Sequence, residues 1–200
     1  MYVLLVLQER AVQRRLGPRL AELSAAARPG RDLVALARPH LEELMRATGE
    51  AAGLSVADGY DVLYLDQVES PNPVQVRDWT GERVPMHAVS SGLVMLAAWP
   101  EAALADFLRR EHPGLTSHTV IGPEAIRARL DDVRRQGFAW TCEEFAEGIT
   151  SVAAPVRDRA GAVVAALHVH GPAYRFPGNR GLEAERAVVA AADRVGRRLV

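Results

Sequence analysis

The chain contains no lysine, since all 24 of its basic residues are arginine, and they stand against 25 acidic residues. No side-chain amine is available for a Schiff base or for the ammonium of a phosphate-cradling loop, so two large enzyme classes drop out. A formal net charge of −1 gives no sequence-wide attraction for a nucleic-acid backbone or an anionic membrane. Cysteine is nearly absent as well. Cys142 is alone, so no internal disulfide can form, which fits a reducing, cytoplasmic setting. Long apolar runs are missing too. The stretch Tyr2 to Leu7 is too short to span a bilayer and lacks the basic start of a signal peptide. What is present is 48% hydrophobic residues over 200 positions, enough for one domain with a real core and a short appendage.

Periodicity supplies the elements. Leu16, Leu20 and Leu23 recur at helical spacing until Pro29-Gly30, and predict a short amphipathic helix. A second helix is expected from an Asp32 N-cap to Gly49, with Leu33, Leu36, Leu41, Leu44 and Met45 on one stripe and a kink or break at Pro39. Leu54–Val56 and Val62–Val68, separated by Asp58-Gly59, read as a hairpin. In its second strand Val62, Tyr64, Asp66 and Val68 are expected on one side, with Leu63, Leu65 and Gln67 on the other. A third strand is expected at Val74–Arg77. Helical patterns follow over His87–Trp99, Glu101–Arg110 and Pro123–Gln136, the last opening on proline. Strands are then expected at Phe138–Cys142, Thr150–Val156 and Val163–Val169, and a final helix over Leu182–Leu199. This mixture predicts an α+β fold, an antiparallel sheet with helices packed on it.

Two stretches carry a family resemblance. One is Arg83-Val84-Pro85-Met86-His87-Ala88 followed by Gly92. The other runs from Gly137 through Glu144 and Gly148 to Ser151, Val152, Ala153, Pro155, Val156 and Asp158. They resemble the signature segments of the effector domains of IclR-type bacterial transcriptional regulators, and supporting matches extend from about Leu16 to the C-terminus. The resemblance implies a GAF-like fold that encloses a small organic effector, a carboxylate or aromatic metabolite. It also implies self-association as a homodimer or homotetramer, and operator DNA reached through a winged helix-turn-helix. Residues 1–30 are expected to hold only a remnant of the wing and the linker helix, and residues 31–200 the effector-binding domain. No cofactor, membrane partner or catalytic role is expected.

Within that frame the candidate effector contacts are Val76, Trp79, Val84, Met86, Ser90, Ser91, Thr141, Ser151, Ala153, His168 and His170. A ligand pocket needs an apolar wall and a few donors on rigid backbone, because burying an unpaired polar group costs several kcal/mol. Ser90, Ser91 and Gly92 enter a helix, where they serve either a ligand or a simple cap with close packing. Thr141 departs from the Asp or Ser of the resembled pattern, and is otherwise only a β-favouring residue. His168 and His170 lie two apart on one strand and so share a face; there the family commonly shows Ser-x-Ser. Two imidazoles are expected to act as switchable donors to a carboxylate. With His87 or Cys142 they offer instead a metal site, the basis of an alternative reading as a metal-binding GAF-like enzyme. A stand-alone ligand-binding module is the other alternative. Trp79 is expected at the pocket mouth. Arg77 is either a bidentate partner for a carboxylate or a solvated loop residue. Cys142, beside Glu143 and Glu144, is expected to have a raised thiol pKa and no nucleophilic role, and the Glu143, Glu144, Glu147 cluster to be a solvated turn.

Overall fold

A computed structural model describes the backbone of residues 29–199 and the side chains from Leu33 onward. The expected helix over Leu16–Arg28 lies outside the described residues. Helix α1 spans Pro29–Thr48. It begins on proline, whose missing N–H is harmless at a helix start, and so starts ahead of the expected Asp32 cap. The expected break at Pro39 does not occur. Pro39 is exposed, and Leu33, Ala37, Leu41 and Leu44 on the opposite side are buried in one core cluster that anchors both halves of the helix. Gly49, at φ 75°, ends it as expected.

Six strands follow: β1 (Ala51–Asp58), β2 (Asp61–Val68), β3 (Arg83–Pro85), β4 (Ala139–Cys142), β5 (Ile149–Arg157) and β6 (Val163–Pro172). They form one antiparallel sheet in the order β3-β2-β1-β6-β5-β4. The third strand is Arg83–Pro85 and not the expected Val74–Arg77, which forms no strand. Pro71 and Pro73 precede that segment, and proline supplies no ladder donor. A 3₁₀ turn at Met86–Ala88 leads into α2 (Ser90–Leu96); α3 (Glu101–Leu108) and α4 (Pro123–Gln136) come next, and α5 (Gly181–Gly196) closes the described fold.

Each face of the sheet carries its own core. On one face α1 and α5 cover Ala52, Leu54, Val152, Ala154, Leu167 and Val169. On the other, the segment from β3 through α4 covers Val62, Tyr64, Val84, Met86, Ala153 and Ala166. Strand alternation produces this division, because neighbours in sequence point to opposite faces. The alternation in β2 is broken by a bulge: Leu54 pairs with Asp66 and Ser55 with Tyr64, which leaves Leu65 unpaired. Val62 and Tyr64 therefore face one core while Val68 faces the other, which corrects the single-sided reading of Val62 to Val68. An extra residue in one strand shifts the register of every side chain beyond it.

Candidate functional site

The β-ladders set Thr141, Ser151 and His170 in one transverse row on three adjacent strands. The next row holds Ala139, Ala153, His168 and Gly53. Small neighbours make room for the imidazole of His168: a Cβ on Gly53 would lie 2.4 Å from its Nε2. His168 and His170 stack with ring centroids 5.5 Å apart and planes 18° apart, and Tyr64 meets His168 edge-on at 4.9 Å. The two histidines share a face, as expected from their spacing.

Hydroxyl groups line the adjoining wall. Ser151 Oγ lies 2.8 Å from Ser90 Oγ and 2.7 Å from Thr141 Oγ1, so three hydroxyls form a continuous chain. Ser90 is not a cap; the N-cap of α2 is Val89, and no side chain caps the helix. Gly92 lets α2 sit directly on the preceding turn, since a Cβ there would be 2.1 Å from the Met86 carbonyl oxygen. Trp79 and Phe145 meet at 5.1 Å in a T-shaped pair and close the space above these groups.

The resulting cavity is bounded by Tyr64, Val89 and Ile149, by the Trp79–Phe145 pair, and by Thr141, Ser151, His168 and His170. Its volume is about 20 Å³, which suits a water molecule and falls far short of the roughly 300 Å³ at which ordinary ligand pockets begin. As it stands the cavity is too small for an organic ligand. Trp79 is carried by the irregular segment between β2 and β3, held there by Gln67, whose Oε1 accepts from the Trp79 N–H at 3.4 Å. Phe145 is held from behind, where the hydroxyls of Thr116 and Thr119 donate to the carbonyls of Glu143 (2.7 Å) and Glu144 (2.6 Å).

Burial governs the electrostatics. His168 and His170 are buried. Desolvation, and secondarily the neighbouring His170, holds His168 well below the usual imidazole range. Desolvation also brings His170 down to about 4, although the charge of Asp78 pulls in the opposite direction. Both rings are neutral at pH 7, so the expected cationic donors are not available in this arrangement. Burial pushes the Tyr64 phenol up to about 12, and the Ser91 hydroxyl draws it partly back.

Five expected contacts thus reach the cavity wall: Trp79, Thr141, Ser151, His168 and His170. Ser90 joins them through Ser151, and Ser91 stands beside Tyr64. Val84, Met86 and Ala153 lie in the apolar core and not on the cavity wall. Val76 is buried but does not line the cavity either. Tyr64, Val89, Phe145 and Ile149 line the cavity as well, beyond the residues expected from the sequence. Tyr64 lies on the cavity face by strand alternation, whereas Phe145 is a lone aromatic in an acidic turn whose direction no local period sets.

His87 does not join the other two histidines. Its Nε2 lies 3.0 Å from the Pro113 carbonyl oxygen and its ring 4.9 Å from His112. Among the described residues no three His, Cys, Asp or Glu side chains gather as a metal site would require. Arg77 lies 3.9 Å from the ring centre of Trp79 and pairs with Glu82 at 3.3 Å, outside the cavity. Partial burial and the Glu144 carboxylate push the Cys142 thiol up, as expected. Glu144 itself is buried against the Arg129 guanidinium; the acidic cluster is therefore not wholly a solvated turn.

Comparison with known proteins places this geometry. The family model described as "Bacterial transcriptional regulator IclR C-terminal" matches residues 25–197. The HTH-type transcriptional regulator KdgR of Escherichia coli is 32% identical over 163 residues, 81% of this chain and 62% of the relative. KdgR of Dickeya chrysanthemi is 33% identical over 159 residues, 79% of this chain and 52% of the relative. The chain thus spans between half and two-thirds of the length of these two relatives. Among solved structures, the IclR of Thermotoga maritima superposes with a TM-score of 0.80 at 28% identity, covering 92% of this chain and 74% of the other. An IclR homologue from Microbacterium hydrocarbonoxydans, solved in complex with 4-hydroxybenzoate, superposes with a TM-score of 0.79 at 29% identity over 91% of this chain and 74% of the other. With a family match across nearly its whole length and an α+β sheet like theirs, this chain belongs to the IclR family of bacterial transcriptional regulators, through their C-terminal domain.

Proposed function

We propose that the domain is a sensor: it binds a small organic effector between the Trp79–Phe145 pair and the polar wall of Thr141, Ser151, His168 and His170. The observation that carries this reading is the convergence, on one sheet face, of a three-hydroxyl chain and two buried imidazoles under a pair of aromatic rings. The hydroxyls satisfy one another, but His168 Nδ1 and Nε2 and His170 Nε2 are buried without a partner among the described residues, a cost that a ligand would offset. The effector class is a carboxylate or aromatic metabolite, consistent with the 4-hydroxybenzoate held by the Microbacterium homologue.

Because the cavity holds little more than a water molecule, binding requires the rings to separate, and this is the mechanical event available for signalling. A ligand shifts such an equilibrium only by its unequal affinity for the two arrangements. Displacement of Trp79 is passed to the edge of β2 through Gln67, and displacement of Phe145 to the segment around Thr116 and Thr119. In the assembled regulator, a cytoplasmic homodimer or homotetramer, these movements change affinity for operator DNA read by a helix-turn-helix. This reading assigns no catalytic role to the domain, and the Cys142 thiol is poorly ionised.

The test is a thermal melt of the chain across a panel of aromatic and aliphatic carboxylates, phenols and amides. A saturable rise in Tm with a parallel change in Trp79 fluorescence is expected, because ligand at a hundredfold excess over Kd stabilises by about 2.7 kcal/mol. Loss of the effect in Thr141→Val places the ligand in the cavity. A panel without a single saturable hit, or a hit indifferent to Thr141→Val and to Trp79→Leu, overturns the reading.

A further inference from the structure

The cavity wall is polar but carries no fixed cation. Among the described residues no arginine lines it, and the sequence has no lysine to offer. Arg77, the nearest candidate by sequence, is turned outward over Trp79 and paired with Glu82. The charged group that acts on His170 is acidic, Asp78. An anion placed here would lose its hydration with no full positive charge to replace it.

The hydrogen-bonding inventory points the same way. His168 Nδ1 and Nε2 and His170 Nε2 have no hydrogen-bond partner among the described residues. A neutral imidazole has one N–H donor and one bare acceptor nitrogen. With both nitrogens of His168 unpartnered, one of them is an acceptor that a carboxylate, itself only an acceptor, cannot satisfy. Raising the charge of the rings to suit a carboxylate works against their burial and against their mutual stacking. The hydroxyl chain of Ser90, Ser151 and Thr141 can donate or accept at its ends, and so suits a group that does both. Trp79 and Phe145 supply flat apolar surface for a ring.

We propose that this site selects an uncharged, flat ligand bearing a donor and an acceptor side by side, an aromatic primary amide or lactam, over the matching carboxylate. This inference rests on the sensor reading above and narrows its ligand class. An amide N–H reaches a bare imidazole nitrogen while its carbonyl accepts from a ring N–H or a hydroxyl, and no charge is buried.

The experiment uses the full chain and two matched probes, 4-hydroxybenzamide and 4-hydroxybenzoate, followed by calorimetry and tryptophan fluorescence at pH 7.5. The amide is expected to bind at least about tenfold more tightly, a difference of about 1.4 kcal/mol. Repeating the titration in buffers of different ionisation enthalpy is expected to show no proton uptake with the amide. Equal or tighter binding of the carboxylate, or proton uptake accompanying the amide, overturns the proposal and leaves the sensor reading standing. If neither probe nor any member of the wider panel saturates the site, the sensor reading falls together with the proposal.

Discussion

Strands β5 and β6 serve two different surfaces with alternate residues of the same few turns of chain. Val152, Ala154, Leu167 and Val169 are fully buried under α1 and α5, while Ser151, His168 and His170, each next door in sequence, face the cavity. On these strands the first face is apolar apart from the buried Thr150 and gains its stability by excluding water. The second buries polar groups that the protein leaves partly unpaired, at a cost that a purely structural core would avoid. One face packs as a core and the other gathers polar groups around a cavity, and the pleat of the strand lets them share a backbone.

Substitutions on the two faces should therefore differ in kind. The largest effect is expected from Leu167→Ala, which removes a side chain with no exposure from the helix-covered face. Chemical denaturation should show a loss of about 2–5 kcal/mol, with ligand affinity of the surviving folded fraction unchanged. A loss of affinity at undiminished stability would break the division between the faces.

Acidification should act in large part through the cavity face. Unfolded histidine titrates near 6.5 and folded His170 at about 4, so between these values the unfolded chain binds the extra proton. The contribution is fully present above about pH 6.5 and is lost as pH falls towards 4. Taken alone, this shift corresponds to about 3 kcal/mol, with His168 in the cavity and His87 and His112 outside it, all lowered by burial, pulling in the same direction. Denaturation midpoints measured from pH 7 to 4 should fall, and the slope should flatten in His170→Asn. An unchanged slope in that variant would assign the acid sensitivity elsewhere.

Overpacking at Gly53 sharpens the comparison within the cavity face. Gly53→Ala sets a methyl group 2.4 Å from His168 Nε2, and should cost about 1–3 kcal/mol. Because the closest obstruction is one side chain, with the Asp66 carbonyl oxygen next at 3.1 Å, Gly53→Ala combined with His168→Ala should cost less than the sum of the two single changes. Strict additivity in that double-mutant cycle would show that the two groups are not in contact. The smallest effect is expected for Ser151→Ala, which leaves Ser90 and Thr141 without their shared partner. A stability loss of about 0.5–1.5 kcal/mol is expected, accompanied by weaker ligand binding, which a calorimetric titration would register.

Much of this arrangement is legible before any coordinates are known. Helix α4 has its expected limits because Pro123 opens it and Gly137, at φ 82°, closes it; both signals are local and chemical. The shared face of His168 and His170 follows from the two-residue period of a strand. The expected strand at Val74–Arg77 fails because an alternation of valines cannot overcome the lack of a paired edge after two prolines. The true third strand, Arg83–Pro85, is too short to carry a period at all. The bulge at Leu65 is likewise silent, as its position depends on how β1 and β2 come into register.

The sequence by itself determined the alternation of polar and apolar residues, the helix limits marked by proline and glycine, and the absence of lysine that withholds a compact cation from the site. Only the tertiary structure decided which alternate face became the cavity. It also decided that Gly53 and Ala153 would flank His168, that Trp79 would meet Phe145 from 66 positions away, and that burial would strip both histidines of charge. Periodicity and capping are properties of neighbouring residues, whereas closure, desolvation and hydrogen-bond partnership depend on chain segments that meet only when the whole domain has folded.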